Sequence, residues 1–255
     1  MTTVAEIAAY LSEQIPPSLK EDYDNVGLLC GFPEQEVSRI LVVLDITLEA
    51  IREAQSMGAE VLVSHHPVIF TPMKSVLSDT PDGRRVIELL RAGLSAICMH
   101  TNLDRLDGGV NTALAEALGG EDVKMLDMGC VCSLPEEMPL EAFLGHVRDA
   151  LNAHDIRFHS AGRNVSRIAV CGGAGGNILY EAARMGCDTV ITGEIRHHQW
   201  IDGAELGLNL IEGGHFPTEN VVVPALAKML RREYPDIDVR LSERQGSLTQ
   251  GFLFG

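Results

Sequence analysis

Short unbroken apolar runs alternate with stretches of helical period along most of this chain. Val4, Ile7, Ala8 and Leu11 recur at the spacing of an amphipathic helix over Val4–Gln14, and Pro16-Pro17 stops it. The wholly apolar run 40–44 predicts a buried strand. A helix is predicted over Leu48–Met57 with Gly58 as its C-cap, then a strand over 61–63, a helix around 84–92 and a strand over 94–99. Residues 119–137 read as a connection with strand character in its middle, and 140–153 as a helix. A strand over 168–171 leads into a glycine-rich loop and another helix. Such alternation implies a mainly parallel sheet covered on both faces.

The second half repeats the first. Segment 53–64 lines up with 181–192: Glu53-Ala54 with Glu181-Ala182, Met57-Gly58 with Met185-Gly186, and Val61-Leu62-Val63 with Thr189-Val190-Ile191, 128 positions apart. Further on, Gly93-Leu94 matches Gly207-Leu208, and the strands after them lead to His100-x-x-x-Asp104 and His215-x-x-x-Glu219. A helix, a glycine and a strand are generic, but a histidine with a carboxylate four residues on at matched strand ends is less so. The expectation is an α/β protein of two pseudo-symmetric lobes, residues 1–125 and 126–255, with mainly parallel sheets and room for exchanged terminal elements. The site would lie between the lobes, beyond the carboxyl ends of the strands.

Composition narrows the function. The 255 residues carry a formal net charge of −16, which repels a nucleic-acid backbone, so a small-molecule substrate is the expected partner. No apolar run reaches the roughly 18 residues of a membrane span. Met1-Thr2-Thr3-Val4 has no signal-peptide character, so a cytoplasmic location is expected. Cys30, Cys98, Cys130, Cys132, Cys171 and Cys187 sit mostly in apolar runs without paired spacing, which predicts reduced, buried thiols.

The chemistry concentrates in Ser64-His65-His66-Pro67, where a buried strand ends in two imidazoles. Neighbouring side chains on a strand face opposite ways, so the pair suits two ions better than one, provided the backbone turns there. With Asp104, His215 and Glu219 the set is imidazole plus carboxylate without thiolate, a match for zinc, manganese, iron, cobalt or nickel. Five ligands oversupply one ion but serve two divalent metal ions with a bridging carboxylate, Glu219 or Asp104. His100 is open among ligand, a group orienting Asp104, and proton carrier; His100 and Glu219 are the candidate catalytic residues. His197-His198 reads as pocket wall or helix start. Gly172 to Gly176 reads either as an anion cradle or as close packing, Asp24-Asn25 as a turn, and His146, His154 and His159 as surface residues.

Tyr23-Asp24-Asn25-Val26-Gly27-Leu28, Ser64-His65-His66-Pro67, His100-Thr101-Asn102-Leu103-Asp104, Thr192-Gly193-Glu194 with His197-His198, and Gly214-His215 with Glu219 occur in one order along the whole chain. In this the chain resembles the NGG-interacting-factor-three-like family, whose members are named GTP cyclohydrolase 1 type 2 homologues. The resemblance implies a toroidal homohexamer of two-lobed subunits with a dinuclear metal centre. It assigns His65 and Asp104 to one metal, His66 and His215 to the other, Glu219 to the bridge and His100 to a place beside them. The sequence looks like the short form, without the extra domain that some members carry between the halves. Tyr23 stands where Trp is common. The implied activity is a metal-dependent hydrolase acting on a nucleotide-like molecule. Another phosphoester or amide substrate, or a non-catalytic metal-binding adaptor, are the alternatives.

Overall fold

Strand-forming residues buried on both faces set the architecture of the computed structural model, which describes residues 1–248. In chain order the strands are β1 (Gly27–Cys30), β2 (Arg39–Val43), β3 (Val61–Ser64), β4 (Ser95–Cys98), β5 (Glu121–Met125), β6 (Cys130–Met138), β7 (Arg157–His159), β8 (Val165–Cys171), β9 (Thr189–Thr192), β10 (Asn209–Glu212) and β11 (Asp238–Leu241). They form two sheets, ordered β1-β4-β3-β2-β11 and β5-β6-β8-β9-β10-β7. The chain is α/β, and the centre of each sheet is parallel: β4-β3-β2-β11 in one, β8-β9-β10 in the other.

The duplication is legible in the topology. Strands β2, β3 and β4 run parallel with β1 antiparallel beside β4. Strands β8, β9 and β10 repeat this, with β7 antiparallel beside β10. Strands β3, β4, β9 and β10 are each preceded by a helix followed by a left-handed glycine. Gly58 (φ 70°) and Gly186 (φ 75°) close the helices before β3 and β9, a backbone conformation that costs L-residues with a Cβ roughly 1–2 kcal/mol.

The chain divides after Leu106 rather than after residue 125. One unit is residues 1–106 with 223–245, and the other holds 107–222. The physical reason is pairing: β5 is hydrogen-bonded to β6 and belongs with the second sheet, while β11 returns to extend the first beside β2. In the first unit Leu41, Val43, Leu62 and Ala96 face helices Leu48–Met57 and Pro81–Arg91. The latter starts earlier than its apolar period implies, because Thr80 caps Gly83 N–H and Pro81 takes the first turn. Helix Val222–Glu233 is tied to β11 by Arg231, whose guanidinium donates to the Val239 carbonyl at 2.7 and 3.0 Å. In the second unit alternation along β8 sorts two cores. Ile168 and Val170 pack with Phe143 and Val147 of helix Leu140–Leu151, and Ala169 and Cys171 with Leu179 and Ala182 of helix Leu179–Arg184. All six cysteines are free thiols, and five are buried. Among the described residues no helix is long and apolar enough to cross a membrane.

Candidate metal centre

The histidine pair follows β3 directly. His65 N–H and His66 N–H continue the ladder to the Val43 and Leu44 carbonyls (3.3 and 2.9 Å), and Ser64 Oγ bonds the His66 carbonyl at 2.8 Å. The chain bends there, bringing the two rings to 4.9 Å between centroids at 43°. The turn that the adjacent imidazoles require is therefore present. His65 is fully buried. Its Nδ1 lies 2.9 Å from the Met99 carbonyl and its Nε2 3.6 Å from Asp104 Oδ1. His66 Nδ1 bonds Asp45 Oδ1 at 2.8 Å. His100 precedes the one-turn helix Thr101–Asp104, and its Nδ1 bonds Asp24 Oδ1 at 2.7 Å. Ligand atoms of His65, His66 and His100 all lie within 4.8 Å of one another, so this unit brings together a group able to hold a metal ion, with Asp104 at its edge.

The second unit arranges its residues in the same way. β10 runs through Gly213-Gly214 into the short helix His215–Glu219, placing His215 Nε2 3.0 Å from Glu219 Oε2. His215 Nδ1 bonds Glu194 Oε1 at 2.8 Å. Glu219 is buried against Gly172 and Gly173; a Cβ on Gly173 (φ 61°) would overlap Glu219 Oε1 and stand 3.1 Å from His215 Nε2. The glycine loop is thus a packing device. Its Gly172, Gly173 and Gly175 amides donate to Asn111 Oδ1, Thr218 Oγ1 and Thr192 Oγ1, leaving none of these three for an anion. Its closeness to His215 and Glu219, not phosphate chemistry, explains the glycines.

The four histidines share one pattern. Each is anchored through Nδ1 to an oxygen: a carbonyl for His65, carboxylates for His66, His100 and His215. An acceptor on Nδ1 places the ring proton there and leaves Nε2 as the lone-pair nitrogen, the arrangement that orients metal-bound imidazoles and raises their basicity. The carboxylates Asp45, Asp24 and Glu194 were not identified as histidine partners from the sequence. Asp45 directly follows the apolar run 40–44, the one local hint, and Asp24 reads as a plain turn. Burial raises the Asp24 carboxyl, but hydrogen bonds from His100 and Thr101 outweigh it and hold the group well below the usual carboxylate range. Burial pushes the Cys130 and Cys132 thiols up to about 12, in keeping with a donor set free of thiolate. His197 and His198 lie exposed on the first turn of helix His197–Glu205, and neither joins a metal-holding group among the described residues. His159 lies in edge strand β7 rather than near a helix, and His146 Nε2 bonds the Leu118 carbonyl at 3.1 Å.

A family model described as Duf34/NIF3 (NGG1p interacting factor 3) matches residues 2–246. The chain belongs to this family. A Clostridium perfringens relative named GTP cyclohydrolase 1 type 2 homolog is 32% identical over 249 residues, covering 93% of this NIF3 chain and 95% of its own. A crystal structure of a Staphylococcus aureus protein superposes with a TM-score of 0.93 at 27% identity, covering 98% of this chain and 99% of that one. A Bacillus cereus protein related to NIF3 gives 0.91 at 22% identity, covering 100% and 99%, and shares the fold. Alignment with a Staphylococcus aureus GTP cyclohydrolase 1 type 2 homolog runs over 358 positions to cover 94% of this 255-residue chain, so that relative carries inserted residues that the NIF3 chain described here lacks.

Proposed function

We propose that this NIF3-family protein is a dinuclear metal-dependent hydrolase acting on a nucleotide-like small molecule, of the kind its relatives' name, GTP cyclohydrolase 1 type 2 homolog, describes. The observation that carries the reading is the common anchoring of His65, His66 and His215 through Nδ1, which puts the lone pair of each ring on Nε2, where it can serve as a ligand. In this reading His65 and Asp104 hold one ion and His66 and His215 the other, with Glu219 between them. Nitrogen and oxygen donors without thiolate suit zinc, manganese, iron, cobalt or nickel. Bound divalent ions supply Lewis acidity there. His65, buried and fixed to the Met99 carbonyl, holds its ligand nitrogen without rotamer freedom. Asp45 and Glu194 make His66 and His215 better donors. His100, beside this group, moves protons at Nε2. The proposal includes assembly as a cytoplasmic homohexamer, which sedimentation of the purified protein tests.

Elemental analysis of the natively purified protein tests the metal reading. Two metal ions per chain are expected, falling in Glu219→Gln with the oligomer intact; one or none per chain sinks the dinuclear assignment. GTP incubated with the metal-matched protein should be consumed, as followed by chromatography. Unchanged GTP rejects that substrate, and a further screen of phosphoesters and amides without turnover leaves the adaptor role.

A further inference from the structure

Aromatic rings are scarce in this chain, 1 Trp, 4 Tyr and 7 Phe among 255 residues, yet two of them are left in water close to the His65–His66 pair. Tyr23 is 68% exposed and Phe70 46%. They meet edge to face, with ring centroids 6.2 Å apart at 79°. Phe70 stands edge to face against His100 as well, at 5.7 Å and 89°, and His100 lies 5.2 and 5.5 Å from His65 and His66. Among the described residues the other exposed aromatics, Phe32, Phe158 and Tyr180, have no such ring neighbour. The backbone, not burial, holds the pair. Asn25 Nδ2 donates to the Ile69 carbonyl at 2.6 Å, tying the turn that carries Tyr23 to the segment that carries Phe70. Asp24 N–H donates to the Glu21 carbonyl at 3.0 Å, and Asp24 Oδ2 accepts from the Thr101 N–H at 3.0 Å. Both rings are thus fixed to the start of helix Thr101–Asp104, which supplies Asp104. A pair kept rigid and wet adds little to the core, and pre-organised aromatic surface is the chemistry that receives a flat ring.

We propose that Tyr23 and Phe70 form the stacking face for the planar base of a nucleotide whose phosphate end lies at the metal-holding histidines. The inference rests on the nucleotide-like reading of the metal centre and adds where the base goes. In a chain of net charge −16 the phosphates belong at the metal ions, which invert the local field, so the uncharged base is the part left for the rings. Phenylalanine offers a π-face and no hydrogen bond, so the contact reads flatness and not the base's edge. The pair therefore selects nucleotides over ring-free phosphoesters without choosing among bases.

Calorimetric titration of the natively purified, metal-bearing protein with GMP and with ribose 5-phosphate, the same sugar and phosphate without the base, tests this. The wild type is expected to bind GMP more tightly by at least about 5-fold. Tyr23→Ala and Phe70→Ala should each weaken GMP binding by roughly 5–140-fold, leaving ribose 5-phosphate affinity, metal content and sedimentation unchanged. Tyr23→Trp keeps a ring in place, so it should hold GMP as tightly as the wild type, and its added fluorescence should be quenched by GMP and not by ribose 5-phosphate. GMP bound no more tightly than ribose 5-phosphate, or an unchanged GMP affinity in both alanine variants, overturns the proposal. So does a Tyr23→Ala protein that falls to a smaller oligomer while binding GMP as before, which would assign this face to a second copy of the chain. If Phe70→Ala does not fold, Tyr23→Ala, the more exposed position, decides alone. Failure of the hydrolase reading shows separately, as metal-bearing wild type that holds GMP through the pair yet turns over neither GTP nor any phosphoester. Turnover of a ring-free phosphoester without GMP binding would keep the hydrolase and sink the stacking face.

Discussion

Asp45 and Gly173 show how much of the site rests on residues that would never touch an ion. Asp45 holds His66 through one hydrogen bond of 2.8 Å and is otherwise near the surface. Asp45→Ala is expected to weaken metal binding by roughly 10–100-fold with little change in thermal stability, as measured by competition with a chromophoric chelator. Gly173→Ala acts by volume: its Cβ would enter the space of Glu219 Oε1 and crowd His215 Nε2. The expected outcome is a folded protein that, like Glu219→Gln, holds less metal than the wild type, counted by elemental analysis. A full complement would show that Glu219 moves aside without loss. Asp24 gives a pH signature. Its folded pKa lies below the unfolded value, so its stabilisation is complete above about pH 4 and is lost as pH falls through the folded value. In metal-free Asp24→Asn the acid limb of the urea midpoint against pH should flatten and the neutral limb shift bodily down.

At the scale of elements, the same substitution should have opposite signs at two glycines. Gly186 ends the helix before β9 at φ 75° with open space where a Cβ would go, so Gly186→Ala should cost about 1 kcal/mol from backbone strain alone. Gly145 lies inside helix Leu140–Leu151, also with open space, and Gly145→Ala should stabilise by about 0.5–1 kcal/mol. Chemical denaturation of the two variants checks both. These elements were readable because their signals are local: a helical period, a stopping glycine and an apolar run lie within a few residues of one another. The strands that escaped, β7 and β11, are short and carry few apolar residues, Phe158 in one and Val239 and Leu241 in the other. They exist because each has a neighbour to pair with, β10 and β2, and not because of their own composition.

At the scale of the molecule, the path of the chain sets what can be separated. Residues 107–222 contain all of β5 to β10, and a fragment of that range is expected to fold cooperatively alone. Residues 1–106 alone lack β11 and the helix Val222–Glu233, whose Leu226 and Leu230 are buried, so this fragment should remain unfolded. Circular dichroism melts of the two fragments test this, and a cooperative melt of 1–106 would show that the returning segment is dispensable.

The sequence by itself determined the α/β class, the duplication and the ligand-type residues. A helix–glycine–strand unit and a His-x-x-x-carboxylate at its end are written in consecutive positions. Only the tertiary structure decided which carboxylate holds which histidine. Asp24 and His100 are 76 positions apart and Asp45 and His66 are 21 apart. Their meeting depends on strand order: β1 lies beside β4, and β2 beside β3. It likewise decided that the chain crosses back at Val223 to complete the first sheet. Such long-range pairings are selected by the burial of whole faces, a quantity that no window of neighbouring residues contains.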